Sequence, residues 1–255
     1  MQIPKIQSNY SNISHKSYFR TIYKPGATQI EANVIHKNNT AFFREDLNIE
    51  SFLKFISKKF KDIDNVHFFD YACSIGLEAY SVLLGMETFL DKKNAQKFLP
   101  ILARDYDSEV IKEAKLGKIG LSDSEITKMN FEMQKHFDDN FYPAFPNSIQ
   151  NIRANEKCYK VSDKFLSYIN FDVSDITKSY KNLPKENVVL LIRNCWPYFS
   201  RKDQLFLPEK LCNHFEKNAV IAIGSFDFKT QHTKDFLVNG FKKAPVKTNG
   251  VVFEK

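Results

Sequence analysis

Glycine and cysteine are scarce in this chain of 255 residues, which holds 8 glycines and 4 cysteines. Average proteins contain about 7% glycine, and neither a GxGxxG pattern nor a P-loop occurs here. The cysteines form no CxxC pair and the six histidines form no HExxH motif. These absences exclude the common dinucleotide and triphosphate loops, zinc ribbons and thioredoxin-type sites, so we expect no metal site.

Long apolar runs are also missing. No stretch approaches the roughly 20 apolar residues that a helix needs to cross a bilayer, and the start, Met-Gln-Ile-Pro-Lys, lacks the apolar segment of a signal peptide. We therefore expect no membrane insertion and a reduced, cytoplasmic location.

The positive charge of the chain is spread thinly rather than gathered in one place. The formal net charge of +7 divides into +4 over residues 1–64, −1 over residues 65–200 and +4 over residues 201–255. A nucleic-acid-binding protein more often clusters its basic residues on one element or groove. The charge pattern therefore argues against a nucleic-acid partner.

Helical and strand-like segments alternate along the chain. Helical spacing of apolar residues covers 47–63, 77–90, 107–116 and 202–217, whereas short apolar runs cover 66–72, 99–103, 168–173, 187–192 and 219–224. This alternation predicts an α/β fold with a mainly parallel sheet.

Local signals refine this prediction. Gly117 is placed to end one helix, and Ser122 with Glu125 has the spacing of a capping box. Asn249-Gly250, between the runs 241–247 and 251–254, predicts a hairpin. Residues 137–161, which include two prolines, suggest an insertion or a long loop, and residues 1–37 an N-terminal arm.

The carboxyl ends of parallel strands are where ligands bind in such sheets. After the first predicted strand, Gly76 would let the backbone approach a ligand, and the helix that follows offers N–H groups to an anion. Glu78 could accept from an ammonium group, which would suit an amino-acid moiety. The alternative is a plain strand-to-helix turn in which Glu78 serves the helix dipole.

Two further strand ends are chemically rich. Asp105 follows the second strand, where a nucleoside presents its ribose hydroxyls, while Asp107 is a candidate helix N-cap. Residues 193–199 (RNCWPYF) combine a cation, an amide, a tyrosine and the only tryptophan. Trp196 is expected either to bind or to pack in the core. Gly224 ends another predicted strand beside this region.

Three motifs carry a resemblance to a known family. Residues 38–45 (NNTAFFRE), 73–81 (CSIGLEAYS) and 193–199 resemble the CheR family, the chemotaxis-receptor glutamate methyltransferases that use S-adenosylmethionine. The family patterns run roughly N-x-T-x-F-F-R-E, C-S-x-G-x-E-x-Y-S and R-N-x-x-x-Y-F. The resemblance covers about residues 36–255. It implies a Rossmann-like class I methyltransferase domain over 38–255, with a seven-stranded sheet that ends in an antiparallel hairpin.

The resemblance also implies roles for particular residues. Gly76 and Glu78 would hold the methionine moiety of the cofactor, Asp105 the ribose, and Asp175 the adenine. Arg44 and Tyr198 would orient the reacting groups and act as the catalytic pair. The remaining expected cofactor contacts are Asn38, Thr40, Arg44, Cys73, Tyr106, Ile176, Arg193 and Asn194.

The chain departs from the family on the substrate side. About 36 residues before the first motif leave no room for the family's N-terminal helical domain. Cys195-Trp196-Pro197 replaces an aliphatic stretch, and Ser225-Phe226 stands where the family usually has Ser-Glu. The resemblance still implies a chemotaxis-type O-methyltransferase that acts on protein glutamate and forms S-adenosylhomocysteine.

Two other functions remain open at this point. One is a methyltransferase of the same fold that acts on a small molecule or a non-receptor protein. The other is a non-catalytic module that binds S-adenosylmethionine or S-adenosylhomocysteine. A carboxylate acceptor is favoured because no histidine falls in the loops 70–81, 103–107, 173–176 and 193–199, which follow four predicted strands. A carboxylate is already ionised at neutral pH.

Overall fold

Ten helices and ten strands make up the part of the chain that the structure, a computed structural model, describes: residues 40–145, 155–225, 227 and 232–255. The strands are β1 (His67–Tyr71), β2 (Ile101–Asp105), β3 (Lys118–Ser122), β4 (Phe141–Pro143), β5 (Glu156–Val161), β6 (Ile169–Val173), β7 (Glu186–Ile192), β8 (Lys217–Ile223), β9 (Lys242–Lys243) and β10 (Val251–Glu254). The helices are α1 (Ile49–Lys59), α2 (Leu77–Phe89), α3 (Lys92–Gln96), α4 (Ser108–Leu116), α5 (Asp123–Ile126), α6 (Phe131–Asn140), α7 (Asp163–Leu166), α8 (Ile176–Ser179), α9 (Arg201–His214) and α10 (His232–Val238).

A seven-stranded sheet has the order β6-β2-β1-β7-β8-β10-β9. The five strands from β6 to β8 are parallel, and β10 and β9 run antiparallel at one edge. The predicted α/β class and the mainly parallel sheet are confirmed. Strand β1 lies near the centre because its apolar run can be buried on both faces.

The two faces of the sheet pack against separate apolar cores. On one face, Phe68, Ala103 and Leu191 pack with residues of α1 and α2. On the other face, Phe69 and Leu190 pack with residues of α9 and its neighbours. Within the described residues, no helix combines the length and the apolar character needed to span a membrane.

A small antiparallel sheet has the strand order β3-β5-β4. Two of its strands, β4 and β5, lie within residues 137–161, which the sequence analysis assigned to an insertion or a long loop. That segment starts in the last turn of α6, and its residues 146–154 lie outside the described part. The Ser122–Glu125 capping box that opens α5 is confirmed. So is Gly117, which ends α4 in a left-handed conformation (φ 61°).

The antiparallel hairpin predicted at the C-terminal end is confirmed: β9 pairs with β10 through Lys243 and Phe253, and residues 244–250 connect the two strands. Within this connection, the N–H of Gly250 donates to the carbonyl oxygen of Asp46 at 2.8 Å. Any Cβ at this position would lie 2.5 Å from the Ile223 carbonyl oxygen and 2.8 Å from that of Asp46. Glycine is needed here for close approach between chain segments.

Asp46 joins segments that are far apart in sequence. Its buried carboxylate pairs with the Arg193 guanidinium after β7, and accepts hydrogen bonds from the Asn194 amide (2.8 Å) and the Ser225 N–H after β8 (3.0 Å). Burial alone would raise the pKa of Asp46, but Arg193 and these two hydrogen bonds outweigh burial and lower it. The segment before α1 is thereby tied to the ends of two central strands.

Helices α1 and α2 touch at Gly85, and this contact gives a first prediction. A Cβ at Gly85 would overlap Ile49 Cγ2 and lie 2.9 Å from Leu53 Cδ1. We expect Gly85→Ala to lower the free energy of unfolding by about 1–3 kcal/mol because the interface becomes overpacked. Helix propensity alone would favour alanine by about 1 kcal/mol. Urea unfolding that shows equal or greater stability would therefore contradict this packing.

Asp46 gives a second prediction. Asp46→Ala leaves the Arg193 guanidinium without one of its buried partners, and we expect a loss of about 3–5 kcal/mol in the free energy of unfolding. The matched control is Asp62→Ala, since Asp62 is 84% exposed and its ion pair with the Lys61 ammonium is long, at 3.7 Å. Its effect in the same urea titration should be near zero.

The loss caused by Asp46→Ala should also depend on pH. Because the pKa of Asp46 is lower in the folded protein, its stabilising contribution is present above the unfolded pKa of about 3.9 and is lost as the pH falls through the folded value. The difference in free energy of unfolding between wild type and Asp46→Ala should become smaller as the pH falls. A gap that stays constant down to the acid transition would show that the charge of Asp46 does not carry the effect.

Candidate functional site

Four chemically rich loops lie side by side at one edge of the sheet. They follow β6, β2, β1 and β7, which are consecutive in the strand order and parallel. Hydrogen bonds connect them: the Ser174 N–H donates to the Asp105 carbonyl oxygen at 2.8 Å, and the Cys73 N–H donates to that of Arg104 at 3.1 Å. The strand-end residues singled out from the sequence are therefore brought to one place.

The loop after β1 is shaped by Gly76. This residue has φ 91°, and a Cβ there would lie 2.7 Å from the Phe171 ring. No side-chain hydrogen bond caps the start of α2 at this position. The result is a tight turn whose helix N-terminus suits an anionic group such as a carboxylate.

Asp105 holds this turn in place. Its Oδ2 accepts the Ser74 N–H at 2.8 Å and its Oδ1 accepts the Asp107 N–H at 3.0 Å. Burial raises the pKa of Asp105, and these backbone hydrogen bonds only partly offset that rise. Asp107 caps α4 by accepting the Glu109 N–H at 2.9 Å. Tyr106 between them is 55% exposed and presents an apolar ring beside the carboxylate.

Arg193 lies at the centre of the site, with its side chain only 3% exposed. Its Nη1 is 3.0 Å from Glu78 Oε1, and its Nη2 contacts Asp46. Burial alone would lower the pKa of Arg193, but the charges of Glu78 and Asp46 raise it, so the guanidinium stays protonated. Glu78 therefore faces a buried cation and does more than complement the helix dipole.

Asp70 is a functional candidate that the sequence analysis missed. It is 1% exposed at the end of β1, and its Oδ2 has no hydrogen-bond partner. Burial, followed by the charges of Glu78 and Asp105, raises its pKa well above the usual range, and Arg193 offsets this only in part. An acidic residue inside the apolar run 66–72 is the signal that could have identified it.

The loop after β7 is anchored in the core. Trp196 is fully buried against Phe199 and Phe236, and its indole N–H donates to the Ile192 carbonyl oxygen at 3.2 Å. Of the two expectations for this residue, core packing is correct. Tyr198 is half-buried and packs against the same core.

Asp227 fixes the backbone of that loop. Its carboxylate accepts N–H groups from Asn194 (2.5 Å), Trp196 (3.0 Å) and Gly224 (2.9 Å). Burial raises the pKa of Asp227 to about 7 despite these donors. A Cβ at Gly224 would overlap the Asn194 amide.

Asp175 and Ile176, predicted to meet the adenine, have structural partners. Asp175 caps α8 through the Thr177 N–H (3.0 Å) and lies 3.1 Å from the Lys178 ammonium. Burial alone would raise its pKa, but hydrogen bonds from Thr177 and Lys178 lower it. Ile176 is buried in the core, whereas the preceding Val173 is 47% exposed at the strand end. An adenine contact by Asp175 or Ile176 stays a prediction.

The first motif docks onto the same region. Phe42 is fully buried, its N–H donates to Glu125 Oε1 at 2.8 Å, and the Phe43 N–H donates to Ser81 Oγ of α2 at 2.9 Å. Thr40 and Arg44 flank this pair and are half-buried. Asn38 lies outside the described residues, as does the arm over 1–37.

The chemistry of these side chains fits S-adenosylmethionine. The cofactor carries an ammonium, a sulfonium, a carboxylate, ribose hydroxyls and an adenine. Buried carboxylates suit its cationic groups, the helix N-terminus at the Gly76 turn suits its carboxylate, and the exposed Tyr106 ring offers an apolar surface. Asp70 Oδ2 and Ser74 Oγ are buried without hydrogen-bond partners, so polar groups are available to a ligand.

Solved structures similar to this chain include several methyltransferases. One is an S-adenosylmethionine-dependent methyltransferase from Aquifex aeolicus (TM-score 0.43, 13% identity, 82% of this chain and 90% of that one). Another is magnesium protoporphyrin IX methyltransferase from Synechocystis PCC 6803 with bound S-adenosylmethionine (TM-score 0.38, 11% identity, 80% of this chain and 76% of that one). A third is PKMT2 from Rickettsia typhi in complex with S-adenosylhomocysteine (TM-score 0.39, 13% identity, 72% of this chain). This chain spans 26% of the length of that protein.

Sequence comparison identifies the family directly. No curated protein matches the chain, but the model of the CheR methyltransferase S-adenosylmethionine-binding domain matches residues 38–244. That match covers most of the chain, including the Gly76 turn, Glu78, Asp105 and Arg193. The chain therefore belongs to the CheR methyltransferase family and has the class I fold that binds S-adenosylmethionine.

Proposed function

We propose that the protein transfers a methyl group from S-adenosylmethionine to a carboxylate oxygen, with protein glutamate as the acceptor class. The observation that carries this proposal is the composition of the site. Its described side chains supply carboxyls, a guanidinium, an amide, a phenol and thiols, and no histidine lies at the four strand ends in this part of the chain. Methylation of amines or hydroxyls often needs a base, whereas a carboxylate acceptor does not.

An ionised acceptor needs positioning above all. A glutamate with a pKa near 4.3 is already an anion at neutral pH. When bound, S-adenosylmethionine supplies an electrophilic methyl group on a positively charged sulfur. A carboxylate oxygen forms the new C–O bond while the C–S bond breaks, and that electron pair stays on sulfur, so no proton moves.

The residues of this chain divide that work between them. Glu78 and the helix N-terminus beside Gly76 would hold the ammonium and carboxylate of the methionine moiety, and Asp105 would hold the ribose. Arg44 and Tyr198 would orient the acceptor in line with the methyl group, since alignment of the reacting atoms is the main requirement.

One departure from the family pattern is a packing change, which supports the proposal. Trp196, which replaces an aliphatic residue, is buried in the core. A small-molecule acceptor is the second candidate. The acceptor experiment distinguishes it from protein glutamate.

Cofactor binding is tested first. We expect Glu78→Gln and Asp105→Asn each to weaken S-adenosylhomocysteine binding about 10- to 100-fold in calorimetry, because each loses a hydrogen bond to or from a charged group worth about 1.5–3 kcal/mol. Glu109→Gln and Asp62→Asn, at exposed carboxyls, are the matched controls and should bind as wild type does. Wild type that binds neither cofactor nor product would overturn the proposed activity.

The acceptor is tested through the stability of the product. Cell-extract proteins methylated with methyl-labelled S-adenosylmethionine should release labelled methanol in mild base if the acceptor is a carboxylate, because esters hydrolyse where methylamines do not. Label that stays bound in base would exclude the carboxylate. Base-labile label found only in the acid-soluble fraction would identify a small-molecule acceptor. An Arg44→Ala or Tyr198→Phe variant with wild-type transfer rates would remove that residue from the proposed mechanism.

A further inference from the structure

Asp70 is a buried acid that the proposed mechanism does not use. It lies in register with Ala103 of β2 and Leu191 of β7, on the sheet face covered by α1 and α2. The first turn of α2, which carries Glu78, lies over the same strand end. With Oδ2 unpartnered and the residue 1% exposed, Asp70 is a polar group held in the wall of the cofactor site.

The charges around Asp70 are unbalanced. The carboxyls that face it are Glu78 from α2 and Asp105 from β2; Arg193 after β7 is the cation that faces it, and the thiols of Cys73 and Cys195 are the remaining titratable groups nearby. Two nitrogens of the Arg193 guanidinium already pair with Asp46 and Glu78, and its buried Nε has no hydrogen-bond partner. Arg193 offsets the effect of burial and of the two carboxyls on Asp70 only in part, and an unpaired buried carboxylate is very costly.

A bound cation changes this balance. The ammonium and the sulfonium of S-adenosylmethionine would bring two positive charges into a site that has a surplus of carboxyls. A nearby positive charge favours the ionised form of a carboxyl group. The group that gains most is the one that lacks a partner in the free protein, which is Asp70.

We propose that Asp70 is a proton-exchanging residue of the cofactor site, which carries a proton in the free protein and releases it to solvent as the cofactor binds. The step is balanced: the Asp70 carboxylic acid becomes a carboxylate, and one proton passes to the buffer. It does not depend on the identity of the methyl acceptor.

The same device distinguishes substrate from product. S-adenosylmethionine carries a net charge of one positive unit, whereas S-adenosylhomocysteine has lost the sulfonium charge and is neutral overall. Binding of the product therefore ionises Asp70 less completely. The ratio of the dissociation constant of S-adenosylhomocysteine to that of S-adenosylmethionine should therefore be larger in wild type than in a variant without the Asp70 carboxyl.

Calorimetry in buffers of different ionisation enthalpy measures this proton directly. The measurement is made at a pH of about 6.5, where the amine of the cofactor remains protonated. The observed enthalpy of S-adenosylmethionine binding should differ between phosphate and Bis-Tris buffers. The slope should correspond to release of up to about one proton by wild type. Binding of S-adenosylhomocysteine should release fewer protons.

Asp70→Asn is the decisive variant because the amide keeps the shape of the protonated acid but cannot ionise. This variant should release almost no protons when it binds S-adenosylmethionine, while Asp62→Asn should release as many as wild type. Wild type should also bind S-adenosylmethionine up to about tenfold more tightly for each pH unit through the titration of Asp70, and Asp70→Asn should lose that dependence.

The outcomes separate the two proposals. Equal proton release by wild type and Asp70→Asn, or no release by wild type that binds the cofactor, would overturn the role of Asp70 and leave the methyltransferase proposal standing. Because the wild-type comparison between S-adenosylmethionine and S-adenosylhomocysteine needs no variant, equal release with both ligands would count against the inference even if Asp70→Asn failed to fold.

Discussion

One buried guanidinium organises this site. Arg193 is placed by the end of β7, yet its partners come from the segment before α1 (Asp46) and from the first turn of α2 (Glu78). A buried arginine has to be paired, since an isolated charge in the interior is strongly unfavourable. The position of each of these three chain segments is therefore constrained by the other two. The proposed cofactor site lies where they meet.

The second constraint is the scarcity of glycine combined with the close approaches that the site needs. Gly76, Gly224 and Gly250 each stand where a Cβ would collide with a ring, an amide or a backbone carbonyl. Gly76 and Gly224 lie at strand ends beside the site, and Gly250 meets the carbonyl of Asp46. At each of these three positions, two chain segments approach so closely that only glycine fits.

Sequence periodicity was enough to predict the alternating elements and the side of the sheet on which they end, because burial on both faces gives short apolar runs and helices show their 3.6-residue spacing. The capping box at Ser122 was equally local. The roles of Asp46 and Asp70 were not accessible in this way. Asp46 depends on partners nearly 150 positions away, and Asp70 looks like an ordinary strand residue until its neighbours are known.

The C-terminal hairpin shows the same division. Asn249-Gly250 predicted it locally, but the hydrogen bond from the Gly250 N–H to the Asp46 carbonyl is a contact that no local rule contains. Trp196 shows the same limit: the sequence left ligand binding and core packing both open, and its surroundings make it part of the core. Residues whose role depends on long-range packing were those for which local sequence was least informative.

The placement of that tryptophan has an optical consequence. Trp196 is the only tryptophan in the chain, and its backbone is held by the same Asp227 carboxylate that fixes Asn194. Indole emission from this protein therefore comes from one place, at the margin of the proposed cofactor site. The protein carries its own fluorophore, so the arrival of a ligand can be followed without attaching a dye.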